Sequence, residues 1–466
     1  MTMKKLCVLV CPMDWGLGHA SRCVAVIKAF LAAGCRVLVG VSGPGAELIR
    51  REFGITGAPV KAGQNGVARQ VYRDRLAGRH ADSRQRGCES YYRQMHSDGS
   101  TEEKYCSDML QIIPFPGFSV SRYRKFFFPG LLIRVPAFLH HIYREKRVLR
   151  SLVESFRPDL IVSDNRYGLV HQGVTSVIIT HQLRPSMPLL LRPLEGLVSA
   201  VIRRWAGAFD ECWIPDCVDD PAAGRLTAGH ERLPAAFFTG WLSRFSPGSS
   251  SETYRYTGAG QYDGSGQPGD SVNSSTLPSG GRVRPAAASS AHFRYRFMFL
   301  LSGPEPHRTM LEDMVKAGIS SLPERALLVR GLPGSFPERE IRGNLEIVSF
   351  IDSGGLQKAI GESEIIVCRS GYSSVMDLLV LGRTAVLVPT PGQTEQEYLG
   401  KWLASKGWFR VVRQKDFDMQ KLIARQTGGF AEGGAERPSM GCEILLEQRV
   451  TDVLRKASAA SGSVKS

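Results

Sequence analysis

Apolar residues along this chain fall in short runs separated by glycine-rich or polar turns. Leu6–Cys11 reads as a strand, Met13–His19 as a loop carrying Gly16 and Gly18, and Ala20–Ala33 as a helix with apolar positions at helical spacing. Gly34 stops that helix, and Arg36–Val41 is the next strand. This β-α-β order predicts a parallel sheet with helices on its faces. Further strands are expected at Leu160–Val162, after the Pro158-Asp159 turn, and at Val177–Thr180. The pattern then repeats. Strand Phe297–Leu301 leads into the loop Ser302–Arg308, a helix at Thr309–Ala317 and a strand from Ala326. Later an apolar strand ends at Cys368, a loop runs over Arg369–Ser374, a helix reaches Leu381, and a strand ends at Pro389. Two consecutive α/β halves are the architectural expectation.

Between the halves the composition changes. Residues 246–292 are rich in Ser, Gly and Pro, too poor in apolar surface to offset their ordering entropy, and are expected to be a disordered linker or insert. The expected organisation is therefore an N-terminal unit over 1–245, a C-terminal unit over 293–440, and a terminal helix (Cys442–Lys456) with tail over 441–466. Residues 60–125 are polar and basic with little periodicity, and read as excursions around a cleft. Thr427–Ser439 reads as a loop insertion. The run Phe126–Phe138 is strongly apolar yet holds two prolines and an arginine. It is either a packed helix or, with Arg122, Arg124 and Lys125 beside it, a shallow membrane-docking surface.

Length and composition narrow the class. A chain of 466 residues with 43% hydrophobic and 22% charged residues suits a globular protein with two cores. The ten cysteines contain no CxxC pair and lie mostly in apolar runs, so they read as small buried hydrophobes in a reducing, cytoplasmic setting. The N-terminal apolar run breaks at Pro12 and Asp14, and reads as a first strand and not as a leader. No stretch approaches the ~20 apolar residues of a membrane span. A net charge of +15 favours anionic partners such as nucleotide diphosphates or acidic headgroups. Nucleic acid is disfavoured, because no zinc-finger spacing, RNP-like strand or single basic helix is present.

Chemistry concentrates where strands end, since ligands of open parallel sheets bind beyond the carboxyl ends of the strands. Arg369-Ser370-Gly371-Tyr372-Ser373 turns from strand into helix, and free N–H groups with serine hydroxyls make an anion seat there. Asp377, one turn on, could accept ribose hydroxyls. The ordinary alternative makes Ser373 a helix cap and Asp377 a partner of the helix dipole. Gln393, Glu395 and Gln396 open the next helix and suit sugar or ribose hydroxyls; the ordinary alternative is a solvated helix start with acidic N-terminal residues. Ser302, Gly303 and Glu305 occupy the first loop of the second half and are placed near a diphosphate. In the first half Gly16 and Gly18 form a tight loop presenting His19, a candidate general base, although a lone histidine is often structural. The loop fails as a dinucleotide fingerprint, because Ser21 stands where the third glycine would be. Asp164 and His181 both sit at expected strand ends, where either reaches an acceptor or simply holds a loop.

These segments carry a resemblance. Val367-Cys368-Arg369-Ser370-Gly371, its helix, and Pro389–Tyr398 resemble the C-terminal domain of MurG-like glycosyltransferases of family twenty-eight. The Gly16–His19 loop followed by Arg22 resembles their N-terminal half, and PMDWGLGHASR, SDNRYG and SGPEPHR are similar to a subgroup common in Bacteroidetes-type bacteria. The resemblance implies a GT-B fold, two Rossmann-like α/β domains facing across a cleft. It also implies inverting transfer of a hexosyl group, N-acetylglucosamine in many relatives, from a UDP-sugar without a bound metal or other tight cofactor. The acceptor would be an envelope-related glycolipid or glycan, and the enzyme would touch the inner face of an anionic membrane. Arg369, Ser370 and Gly371 would line the donor site, Asp377 would stand where the family has a ribose-binding glutamate, Gln396 would belong to the sugar-contacting glutamine pair, and His19 would match the proposed base. Rival expectations are a UDP-sugar 2-epimerase of the same fold, and a non-catalytic sugar-nucleotide or lipid-binding protein.

Overall fold

The computed structural model describes residues 5–55, 109–116, 130–245, 293–320, 322–335, 337–424 and 444–463. The 246–292 linker, the Thr427–Ser439 loop and most of the 60–125 stretch lie outside them, as do the side chains of Phe126–Pro136.

The first sheet has seven strands, all parallel, in the order β3-β2-β1-β4-β5-β6-β7. They are β1 (Cys7–Cys11), β2 (Arg36–Gly40), β3 (Leu110–Ile113), β4 (Leu160–Asp164), β5 (Thr175–Ile179), β6 (Glu211–Ile214) and β7 (Ala236–Phe238). Strand β3 lies in the stretch that sequence patterning left as an excursion. Helices α1 (Leu17–Ala32) and α2 (Gly43–Glu52) cover one face, while α3 (Gly130–Phe156) and α4 (Glu195–Ala206) cover the other. Apolar runs such as Val8-Leu9-Val10 are buried on both sides, which is why they show no alternation.

The second sheet also has seven strands, in the order β10-β11-β9-β8-β12-β13-β14. Strands β8 (Tyr295–Leu300), β9 (Ala326–Val329), β11 (Leu345–Val348), β12 (Ser363–Cys368), β13 (Val386–Leu387) and β14 (Arg410–Val411) run parallel. Strand β10 (Arg339–Arg342) is an antiparallel edge, a departure from the all-parallel expectation. Helices α5 (His307–Ile319), α6 (Ser353–Gly361), α7 (Tyr372–Val380), α8 (Thr394–Ser405) and α9 (Met419–Ala424) flank it. The last helix, α10 (Ile444–Ser463), returns to the first unit and buries Val450, Val453 and Ala457 in the core around α1. Cys217 is disulfide-bonded, so the reading of the cysteines as reduced, buried hydrophobes does not extend to it.

In each sheet the strand order reverses direction once, between β1 and β4 and between β8 and β12. At such points successive loops diverge and leave a crevice beyond the carboxyl ends of the strands. The two crevices face each other, because α1 and α7 meet end to end: Ser373 Oγ donates to the Gly18 carbonyl at 2.7 Å.

Candidate functional site

On the first-unit side, Gly16 (φ +84°) ends the loop after β1 and starts α1, so that His19 lies in the first turn. Its Nδ1 is 3.0 Å from Asp164 Oδ2 at the end of β4. Arg22, one turn further along α1, reaches the same carboxylate through Nε at 3.0 Å to each oxygen and through Nη2. Nη2 is also 2.8 Å from His19 Nδ1. A guanidinium only donates and a carboxylate only accepts. With the proton on Nδ1, His19 and Arg22 both donate to Asp164 and Nε2 keeps its lone pair; with the proton on Nε2, Nδ1 instead accepts from Arg22 Nη2. Burial alone would raise the Asp164 carboxyl, but Arg22 and His19 hold it well below the usual carboxylate range.

The network continues across the crevice. Arg22 Nη1 is 3.0 Å from His181 Nδ1, and His181 Nε2 is 2.8 Å from Glu395 Oε1 at the start of α8. Burial lowers the His181 pKa, so a neutral ring accepts from Arg22 and donates to Glu395. Its plane stacks on Tyr372, with centroids 3.9 Å apart, and the Tyr372 hydroxyl donates to the Pro215 carbonyl. Asp164, His19, Arg22, His181, Tyr372 and Glu395 thus form one contiguous bridge between the units.

On the second-unit side, β8, β12 and β13 all end at one place. Arg369 follows β12 and is fully buried. Its Nη1 donates to the Val388 carbonyl and Gln414 Oε1, and its Nη2 to the His307 carbonyl. Its Nε has no hydrogen-bond partner among the described residues, and neither do the buried Thr390 Oγ1 and His307 Nδ1. These atoms are neighbours. A Cβ placed on Gly303 (φ +97°) would lie 3.3 Å from Thr390 Oγ1 and 4.0 Å from Arg369 Nε, and Arg369 depresses His307 after burial does. Buried polar groups are almost always paired, so the unpaired Arg369 Nε and Thr390 Oγ1 beside Gly303, with the unpaired His307 Nδ1 at the start of the following helix, describe an anion cradle. Burial pushes the Arg369 guanidinium down to about 10, the mark of a cation lacking a counter-charge.

The expected donor residues divide into several groups. Gly303 and Arg369 border the cradle with Ser302 beside them, and Gly371 opens onto free space, since a Cβ there would meet nothing within 4 Å. Ser370 and Gln396 brace it: Ser370 Oγ donates to the Gln396 carbonyl, and Gln396 Oε1 accepts from Thr390 N at 2.9 Å. Gln393 is the N-cap residue of α8. Tyr372, Ser373 and Glu395 are engaged with the first unit. Two expectations need correction. Asp377 is buried against Ser243 (2.7 Å) and Arg244 (3.2 Å), which fixes the end of the first unit and removes it from the crevice. Glu305 turns onto its own helix, bonding Arg308 Nε at 2.7 Å and Thr309 N at 3.2 Å. Thr390 and His307 were missed. Both lie inside segments singled out from the sequence, but nothing in their spacing says that their polar atoms converge.

Comparisons fit this geometry. Residues 334–440 match the glycosyltransferase family 28 C-terminal domain. The chain is 30% identical over 128 residues to the UDP-N-acetylglucosamine--N-acetylmuramyl-(pentapeptide) pyrophosphoryl-undecaprenol N-acetylglucosamine transferase of Nitratidesulfovibrio vulgaris, covering 25% of this chain and 34% of that protein. It is 25% identical over 173 residues to the Bartonella henselae protein of the same name, covering 33% and 45%. The chain thus spans between a third and a half of the length of these relatives. The crystal structure of the glycotransferase of kitacinnamycin superposes with a TM-score of 0.53 at 13% identity, covering 97% of this chain and 99% of that one, and shares the fold. The chain has the two-unit GT-B architecture, and within its second unit residues 334–440 are similar to the glycosyltransferase family 28 C-terminal domain.

Proposed function

We propose that the protein transfers a hexosyl group, N-acetylglucosamine by analogy with the curated relatives, from a UDP-sugar to a lipid-linked or glycan acceptor with inversion at the anomeric carbon. The observation that carries this reading is the set of unpaired polar atoms, the donors Arg369 Nε and Thr390 Oγ1 with His307 Nδ1, on the second-unit side of the crevice opposite the His19–Asp164 pair. A diphosphate would lie against these atoms. The acceptor hydroxyl would give its proton to His19 Nε2 as its oxygen bonds to the anomeric carbon. The bond from that carbon to the β-phosphate oxygen breaks, and the charge gathering on the diphosphate falls on donors already fixed in place. Asp164 positions His19 and stabilises the imidazolium that forms. Gln393, at the start of α8, is the candidate to read sugar hydroxyls, while both Glu395 oxygens are taken by His181 and Gln182.

Exposed leucines support a membrane-linked acceptor. The turn Leu189–Leu194 and helix α4 present Leu189, Leu190 (92% exposed), Leu194 and Leu197 beside Arg192. Among the described residues no helix is long and apolar enough to cross a membrane, so contact would be peripheral. The test is a panel of UDP-sugars with lipid extracts, following UDP release and the sugar product. Acceptor-dependent UDP release that His19→Ala abolishes supports transfer. Epimerised sugar without acceptor, or no nucleotide binding, rejects it.

A further inference from the structure

The face of the first sheet covered by α3 and α4 has a gap. Parallel neighbours need a crossover of about a dozen residues, usually a helix. β3 reaches β4 through α3, and β5 reaches β6 through α4. Between β4 and β5 the chain crosses on the same face through residues 165–174 alone, with no helix. The width that a helix would fill stays open between α3 and α4, and this is why the core on that face is split. One part gathers around α3 with Leu149 and Leu152, the other around α4 with Ala206 and Phe209.

The gap forms a cavity of about 470 Å³, within the range of small-molecule sites. Its walls are apolar and aromatic: Ile142, Val170, Tyr167 and Trp205, the two rings 5.6 Å apart and tilted by 48°. Its rim is cationic. Ile142, Lys146 and Arg150 recur every four residues along α3 and so share one face of it. Lys146 and Arg150 are exposed and form no ion pair among the described residues. The cavity is built by the connector that leaves Asp164, and it is distinct from the crevice holding His19 and the anion cradle.

We propose that this cavity binds a small amphipathic anion, an aromatic or alicyclic body carrying a carboxylate, sulfonate or phosphate. The body would lie against Tyr167 and Trp205, whose faces favour planar partners. The acid group would meet Lys146 and Arg150, whose charges no carboxylate among the described residues pairs with. The occupant is anionic because the rim is cationic, and compact because the volume is small.

The test uses the full chain and 8-anilinonaphthalene-1-sulfonate as the probe, read by its own fluorescence. Saturable binding is expected, unchanged by excess UDP and weakened about ten-fold in K146E/R150E, a pair of exposed changes that leaves the core untouched. The uncharged N-phenyl-1-naphthylamine should bind more weakly than the sulfonate, and I142W should block both probes while UDP binding persists. Displacement of the probe by UDP, equal affinity in K146E/R150E, or equal binding of the uncharged analogue would overturn the proposal. So would a full response in I142W, or no response in the parent protein, the outcome expected if another segment of the chain already fills the cavity.

Discussion

Thr390→Val separates stability from affinity, and the two should move in opposite directions. Thr390 is 1% exposed, its N–H is held by Gln396, and its hydroxyl has no partner among the described residues. A buried hydroxyl without a partner costs about 1–3 kcal/mol, so a methyl of the same shape should leave stability unchanged or raise it. With UDP present the hydroxyl would donate to a charged oxygen, a bond worth about 2 kcal/mol, and its loss should weaken binding about 30-fold. At a UDP concentration 100 times the parent's Kd, the parent gains about 2.7 kcal/mol from ligand and the variant about 0.9 kcal/mol. Titration calorimetry with UDP, and unfolding with and without it, read both quantities. If the variant unfolds more readily without nucleotide, or binds UDP as well as its parent, Thr390 does not belong to an anion cradle.

Three further outcomes follow from the same geometry. Asp164→Asn should lower kcat by about a thousand- to ten-thousand-fold with UDP affinity unchanged, because His19 loses the acceptor that fixes its tautomer; it should also cost about 3–5 kcal/mol of stability by leaving buried Arg22 unpaired. Burial raises the Asp216 carboxyl to about 6 despite bonds from three backbone N–H groups, so the native state holds its proton more tightly than the unfolded chain. Its contribution is therefore full below about pH 4 and is lost as pH rises through about 6, a total fall of about 3 kcal/mol; between pH 4.5 and 7 the stability difference between parent and Asp216→Asn, measured by urea unfolding, should change by about 2 kcal/mol. Gly18→Ala would set a methyl 3.1 Å from Ser373 Oγ and should lower kcat through a looser meeting of α1 and α7 without changing UDP affinity; an unchanged kcat would show that this contact has no bearing on turnover.

The chain's hydrophobic punctuation was enough to read out two α/β halves, because strands buried on both faces are short unbroken apolar runs and their helices carry a clear period. It also brought the loops after β1, β8 and β12 to the same side of their sheets, since that follows from parallel order alone, and it singled out the His19 and Arg369 loops. Strand β3 escaped because it is four residues inside a polar stretch, and β10 because an edge strand has little to bury. What only tertiary structure decided is which atoms remain unpaired. Asp377 and Thr390 look equally available in the sequence, yet one is taken by Ser243 and Arg244 and the other is left facing Gly303. Hydrogen-bond partners come from segments more than a hundred residues away, as with Asp164 and His19 or His181 and Glu395, and no local pattern encodes such pairings. The cavity beside α3 has the same origin: a missing helix is visible as a short connector, but its volume exists only because α3 and α4 are held apart by the strands beneath them.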